Sequence, residues 1–345
     1  MPDFVESPAK PRTELPVDAP AELPPVEPPT AGFIAQLFLI PALIVGVLVC
    51  VYLLFGKIAG GHRTPQEYLD ELRGANVERR WLAAHELALF LIHDEKWQND
   101  AALAGDLAAE LDQAVSAGRD DDGAIQFQKY LASALGAFNS PAGTVALRKS
   151  LGPDVPAEVR LAAIWSLARL GDRLAKSGSD DAVAALVDAL PDLSAAASDD
   201  DTEIRKIAAY ALGCIDAPET VNYLKPLLSD ADREVRYNAA TGLTRLGSDA
   251  GFDTIEEMLD VEILRVKFKE SDMQPGQVPA QLETVPLAAI ESLGKFIERS
   301  QSGSPNQLKP QLEKLAANGG ALVRVRSKEL LIKLGGRRAD PSQKN

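Results

Sequence analysis

Apolar and polar positions follow a helical period through most of the chain, and in three places the order is nearly the same. An apolar residue is followed at once by a basic one, then by a small residue at offset four, Leu at offset eight and an apolar residue at offset eleven. The copies read Val159, Arg160, Ala163, Leu167, Leu170; then Ile204, Arg205, Ala208, Leu212, Ile215; then Val235, Arg236, Ala239, Leu243, Leu246. Offsets zero, four, eight and eleven share one side of an α-helix, so each copy predicts a helix that buries one stripe against a neighbour. Units that return every ~30 residues or more cannot bury their faces alone and form a solenoid when stacked. Such an array offers extended surface, which suits binding more than chemistry.

The pattern extends both ways. Thr64, Pro65 and Glu67 have the order of a hydroxyl-capped helix start with Pro in its first turn. The next helix carries Arg80, Trp81, Ala83, Ala84, Leu87 and Phe90, and a second pair spans Ala101 to Ala117 and Gly123 to Phe138. Pairs ending near Gly171, Ile215 and Gly247 follow, then one using Val285, Ala289, Leu293 and Phe296, and a last one with Val323, Arg324, Leu331 and Leu334. About seven helix pairs are expected over 64–336, with an insertion at 261–283. In the last copy Ser327 and Lys328 replace small apolar residues, as expected of a cap that faces water.

Ahead of the array the periodicity disappears. Residues 1–31 are rich in Pro and acidic side chains and are expected to be a disordered spacer. From Phe33 to Phe55 the chain is uncharged, which predicts a transmembrane helix over 32–58 and a flexible joint over 59–63. A cleaved signal peptide is the rival reading, but it needs a basic leading region and a shorter apolar run. Cys50 follows Val49, where a lipobox needs a small residue. Lys57, Arg63 and Arg73 lie close after the span, whereas Arg12 is the nearest base before it. Positive-inside bias therefore places the array in the cytoplasm and the N-terminus outside.

The segments PAEVRLAAIWSLARLGD, DTEIRKIAAYALGCID and DREVRYNAATGLTRLGSD resemble the second helices of HEAT repeats, in particular the short bacterial type grouped with phycobilin-lyase-like proteins. The resemblance covers Thr64 to Gly336 and implies an all-α fold, a right-handed α-α superhelix of HEAT or armadillo type. It also implies that Arg160, Arg205, Arg236 and Arg324 form a ladder between repeats. Asp201 would pair with Arg205, and Asp230 or Asp232 with Arg236; Gln128 and Pro286 interrupt the row. The layout of anchor plus array is similar to anchored HEAT proteins of bacteria.

Composition narrows the functions. A formal charge of −14 disfavours nucleic acid as a partner. Two cysteines, Cys50 and Cys214, sit in different segments and are not expected to pair. Some HEAT-like arrays are iron-dependent hydroxylases with several His-Glu dipeptides, and others are bilin lyases; here His85-Glu86 is the one such dipeptide. Three histidines so placed do not build a metal site. The runs Asp120 to Asp122 and Asp199 to Asp201 precede predicted helices and read as caps, not as calcium loops. No catalytic nucleophile, phosphate loop, cofactor or metal site is expected.

In the insertion Leu264, Val266 and Phe268 alternate with Arg265, Lys267 and Lys269, a strand period, and Pro275, Gly276 and Pro279 impose turns. A short ribbon or ordered loop is expected there, with Arg265, Lys267, Phe268 and Lys269 as candidate contacts for a protein partner or anionic lipid; the competing expectation is a solvated loop with Phe268 packed on its own repeat. The sequence thus predicts a non-enzymatic, single-pass protein of a bacterial inner membrane that holds a protein-binding scaffold at the cytoplasmic face. A lyase-like or metal-dependent enzyme and an envelope-organising protein with the array outside are the alternatives.

Overall fold

The computed structural model describes residues 31–59, 64–74, 76–177, 180–269, 277–300 and 305–336. The expected tail, joint and C-terminal end, apart from Ala31 and Ala59, lie outside them. The chain divides into two units, Met1–His62 and Arg63–Asn345.

The first unit contains one helix, α1, Ala31–Ala59, of 29 residues. At 1.5 Å per residue it is about 44 Å long. Its stretch Ala35–Tyr52 is apolar, exposed and long enough to cross a membrane, and Pro41 sits inside it.

The second unit is helix after helix, and no strand occurs among the described residues. The first pair is α2 (Pro65–Leu72) and α3 (Val77–His93), followed by a short turn helix, α4 (Glu95–Gln98). The second pair is α5 (Ala101–Ser116) and α6 (Asp122–Leu135), and the third α7 (Thr144–Lys149) and α8 (Ala157–Ser177). The fourth has a divided first half, α9 (Asp180–Val187) and α10 (Leu190–Ala196), before α11 (Thr202–Cys214). The fifth is α12 (Thr220–Leu224) and α13 (Arg233–Arg245). In the sixth an extra helix, α15 (Val261–Lys269), lies between α14 (Phe252–Leu259) and α16 (Val278–Arg299); α17 (Lys309–Asn318) and α18 (Ala321–Gly336) form the seventh. Second helices stack in one row, α3, α6, α8, α11, α13, α16 and α18, each against the next.

Local signals start these helices where the polar spacing says they should. Thr64 and Glu67 form a reciprocal capping box on α2. Asp121, Asp201 and Asp232 accept main-chain N–H groups at the starts of α6, α11 and α13, satisfying donors a helix cannot satisfy itself. The repeating stripe forms the core: Val159, Ala163, Leu167, Ile204, Ala208, Leu212, Val235, Ala239 and Leu243 are fully buried. Each large apolar side chain so buried contributes about 1.5–3 kcal/mol. Rows meet closely where small residues oppose: a Cβ on Gly213 or Gly242 would lie 2.9 Å from the other's Cα.

Several expectations are corrected. The alternating segment is a helix, α15, with Asp260 accepting from the N–H groups of Glu262 and Ile263 at its start. Leu264 and Phe268 are four apart as well as in alternation, and the helical reading buries both. The rest of the expected insertion from Val278 onward belongs to α16. Helix α8 continues past Gly171 to Ser177. At the last repeat Lys328 is exposed as expected of a cap, but Ser327 is fully buried and the apolar Val325 and Ile332 are exposed.

Candidate interaction surface

Three of the arginines at offset one, Arg205, Arg236 and Arg324, close the turns inside their own pairs. Arg205 donates through Nη1 to the carbonyls of Asp199 and Asp200 at 2.9 and 3.1 Å, closing the turn before its own helix. Arg236 does the same to Asp230 and Ala231 at 2.7 and 3.0 Å, and Arg324 to Gly319 at 3.0 Å. Links between repeats run forward. Arg160 pairs with Asp199, and Arg205 through Nε with Asp230 at 3.2 Å, all four side chains being mostly buried. The expected pair of Asp201 with Arg205 is replaced by this arrangement, because Asp201 is occupied as the cap of α11. In these two turns the first Asp takes the preceding repeat's arginine and its own turn's N–H (Asp201 N to Asp199, Asp232 N to Asp230), and the second caps the helix. The Arg160 guanidinium, with the smaller help of the Asp201 N–H, holds the Asp199 carboxyl below its usual range. At the interrupted position Gln128 donates to the carbonyls of Ala114 and Arg119, taking over the turn-closing half of the arginine's work.

A second arginine row was not singled out by the repeat pattern. Arg169 donates to Ser133 O, Arg173 to Ala137 O, and Arg245 to Gly213 O, each reaching back to the previous second helix. Arg299 reaches Asp216 across a longer interval. These guanidiniums occupy carbonyls near helix C-termini, where positive charge is favourable. Their signal was available at offsets ten and fourteen of the same register.

The outer face of the second helices carries aromatic rings. Trp81 stacks near Tyr130 at 6.4 Å, His85 lies against the same ring at 4.5 Å, and Trp165 meets Tyr210 at 5.4 Å between centroids. Trp165 is 44 % exposed in spite of its size. Further along, a hollow of about 590 Å³ is lined by Tyr210, Asn238, Thr241 and Arg245 and by the paired charges Lys295–Glu298–Lys333 and Arg326–Glu329. Burial pushes the Tyr210 hydroxyl up to about 12 and raises the Cys214 thiol beside it, so neither is prepared for nucleophilic chemistry at neutral pH. Among the described residues no cluster of His, Cys, Asp or Glu could hold a metal ion.

The candidate contacts in α15 have structural partners. Phe268 is 2 % exposed, with the Arg233 guanidinium 4.5 Å above its ring. Lys267 pairs with Glu257 at 2.6 Å, and the same carboxylate accepts from the Tyr237 hydroxyl at 2.6 Å. Arg265 is exposed, pairs with Glu262 and lines a hollow of about 740 Å³ beside the last pair. The Lys269 side chain lies outside the described residues. Of these positions, Phe268 is buried, not open to a partner, and Phe268 and Lys267 stitch the inserted helix to α13 and α14.

Stacked helix pairs, joined by the forward-running pairs of Arg160 and Arg205, define an α-solenoid. Models of two repeat families match within it: HEAT repeats over residues 190–266 and a HEAT-like repeat over 157–215. Residues 157–266 are thus built of HEAT repeats. Among solved structures it is similar to an engineered protein (22% identity over 79% of this chain and 68% of that one, TM-score 0.43). It is also similar to a designed armadillo repeat protein (18% identity, 79% and 100% covered, TM-score 0.37). A third is the complex of CpcE and CpcF of phycocyanin lyase from Nostoc sp. PCC7120 (19% identity, 68% and 95% covered, TM-score 0.32). No curated protein sequence matches.

Proposed function

We propose that this protein is a membrane-anchored HEAT scaffold that binds another protein on the outer face of its second helices, without chemistry of its own. The observation that carries the reading is two ring groups on the second helices, Trp81, His85 and Tyr130 in one and Trp165 and Tyr210 in the other, whose side chains stay partly exposed. Large aromatic side chains on a fixed surface are the usual anchors of protein interfaces, because they lose little entropy on binding. Helix α1 supplies location, and anchoring raises the effective concentration of the array near membrane complexes. The charge asymmetry around the span favours an array on the cytoplasmic side of a bacterial inner membrane.

Proximity labelling from a C-terminal fusion, compared between wild type and the Trp165→Ser, Tyr130→Ser variant, tests both parts. Loss of specific cytoplasmic neighbours in the variant is the expected result. An unchanged set of neighbours overturns the assigned face, and labelling of proteins outside the cytoplasm overturns the topology in favour of an envelope role.

A further inference from the structure

The two open ends of the array keep the positions that join one repeat to the next. Inside the stack, the Asn238 side chain at offset three donates to Lys206 O at offset two of the preceding helix. Arg245 at offset ten donates to Gly213 O at offset nine. Offsets two and nine therefore face onward, and offsets three and ten face back. Helix α18 has no repeat beyond it among the described residues, yet it carries Val325 and Ile332 at offsets two and nine, 52 % and 74 % exposed. In α3, Arg80 at offset one donates to Leu72 O as a turn-closing arginine, which places Leu82 and Leu89 at offsets three and ten. They are 44 % and 47 % exposed. An onward-facing apolar pair thus stands open at one end and a backward-facing pair at the other.

Charge says what covers them. The last pair, 309–336, has six basic and two acidic residues, whereas the first, 65–93, has five acidic and three basic. Two last repeats face to face would set like charges together, and a last repeat against a first one sets opposite charges together. We propose that the α17–α18 end of one copy docks on the α2–α3 end of a second copy, continuing the stack from chain to chain with Val325 near Leu82 and Ile332 near Leu89. The contact is heterologous, so it builds open rows instead of closed dimers. Ile332 replaces the small residues found at offset nine inside the array, Gly136, Ala168 and Gly213, so the helices at this junction lie further apart than α11 and α13.

Sedimentation of the full-length protein in detergent tests the proposal with two variants, Leu82→Glu, Leu89→Glu and Val325→Glu, Ile332→Glu. Wild type should show a concentration-dependent series of oligomers that shortens with added salt. Each variant alone should associate at least about tenfold more weakly, the equivalent of one lost apolar contact. An equimolar mixture of the two should form one-to-one dimers, because each variant keeps the end the other lacks. The milder Val325→Ser, Ile332→Ser variant, checked for helical content, separates docking from folding. Wild type that stays monomeric at every concentration overturns the proposal. So does a Leu82, Leu89 variant that self-associates like wild type, which would mean tail-to-tail pairing. Loss of binding to anionic phospholipid vesicles by the Val325, Ile332 variant, with no change in oligomer size, overturns it in favour of a lipid-facing α18.

Discussion

Replacing Phe268 by Ala distinguishes a ring that holds the array together from one that greets a partner. The ring is 2 % exposed, packs in the C-terminal core cluster with Leu264, Ile255 and Leu259, and is covered by Arg233, whose Nη1 also donates to Lys267 O at 3.3 Å. Truncating a buried Phe costs about 3–5 kcal/mol through lost transfer energy and the cavity left behind. The cation over the ring is part of that figure, since such contacts reach about 2 kcal/mol when desolvated. In a solenoid each repeat contacts its neighbours, so the loss should fall on α13 to α18 and spare the first four pairs. Urea unfolding of the detergent-solubilised chain, followed by hydrogen exchange and mass spectrometry, should show a new early transition in residues 233–336. Arg265→Glu, on the exposed side of the same helix, should change stability by less than about 0.5 kcal/mol. If Phe268→Ala changes stability by under about 1 kcal/mol, the ring is not a packing element and the assignment of α15 to the core fails.

Three other perturbations probe different parts of the array. Asp199→Asn should destabilise by about 1.5–3 kcal/mol at neutral pH, the range for a hydrogen bond to a charged group. Because the folded carboxyl is held below its unfolded value of about 3.9, its contribution is complete above that value and is lost as the pH falls through the depressed one; urea curves for wild type and variant should therefore converge in acid. Gly242→Val should cost about 1–3 kcal/mol or more, since its Cβ would meet Gly213 Cα and a Leu224 methyl at 2.9 Å; thermal unfolding measures it, and an unchanged midpoint refutes the close approach of α11 and α13. Cys214, 4 % exposed and with its thiol pushed up by burial, should resist maleimide under native conditions and react once the chain is unfolded, read by mass.

The helical stack was legible because one side of each second helix obeys a strict rule. Offsets four and eight must be small and Leu-like for neighbouring rods to close, and Ala163, Ala208 and Ala239 with Leu167, Leu212 and Leu243 announce it from their spacing alone. The partners of the ladder arginines were less legible. Asp199 and Asp201 are both carboxylates near the same turn, and only the path of the chain shows that the first faces the previous repeat while the second is spent on an N-cap. Period two over the six residues from Leu264 to Lys269 was misleading for a different reason. A run that short satisfies a strand and a helix together when its two largest side chains are four apart, so the choice falls to the cap at Asp260 and to the space beside Arg233.

The residues proposed to bind obey no such rule, and this follows from what a solenoid asks of its sequence. Stacking constrains the offsets that meet a neighbour and leaves the others free, so Trp165 and Tyr210 stand at offset six, with Thr241 at the equivalent place one repeat later, whereas Tyr130 at offset three holds a position that faces the preceding repeat. A face that varies from repeat to repeat cannot be found by periodicity, although its rings touch across helices at 5.4 to 6.4 Å once the stack is assembled. The same logic makes the two open ends informative. Leu82, Leu89, Val325 and Ile332 follow the stacking rule where no neighbouring repeat within the described chain requires it. Exposed apolar side chains that still keep the inter-repeat register are what an array keeps when its neighbour is supplied by another molecule.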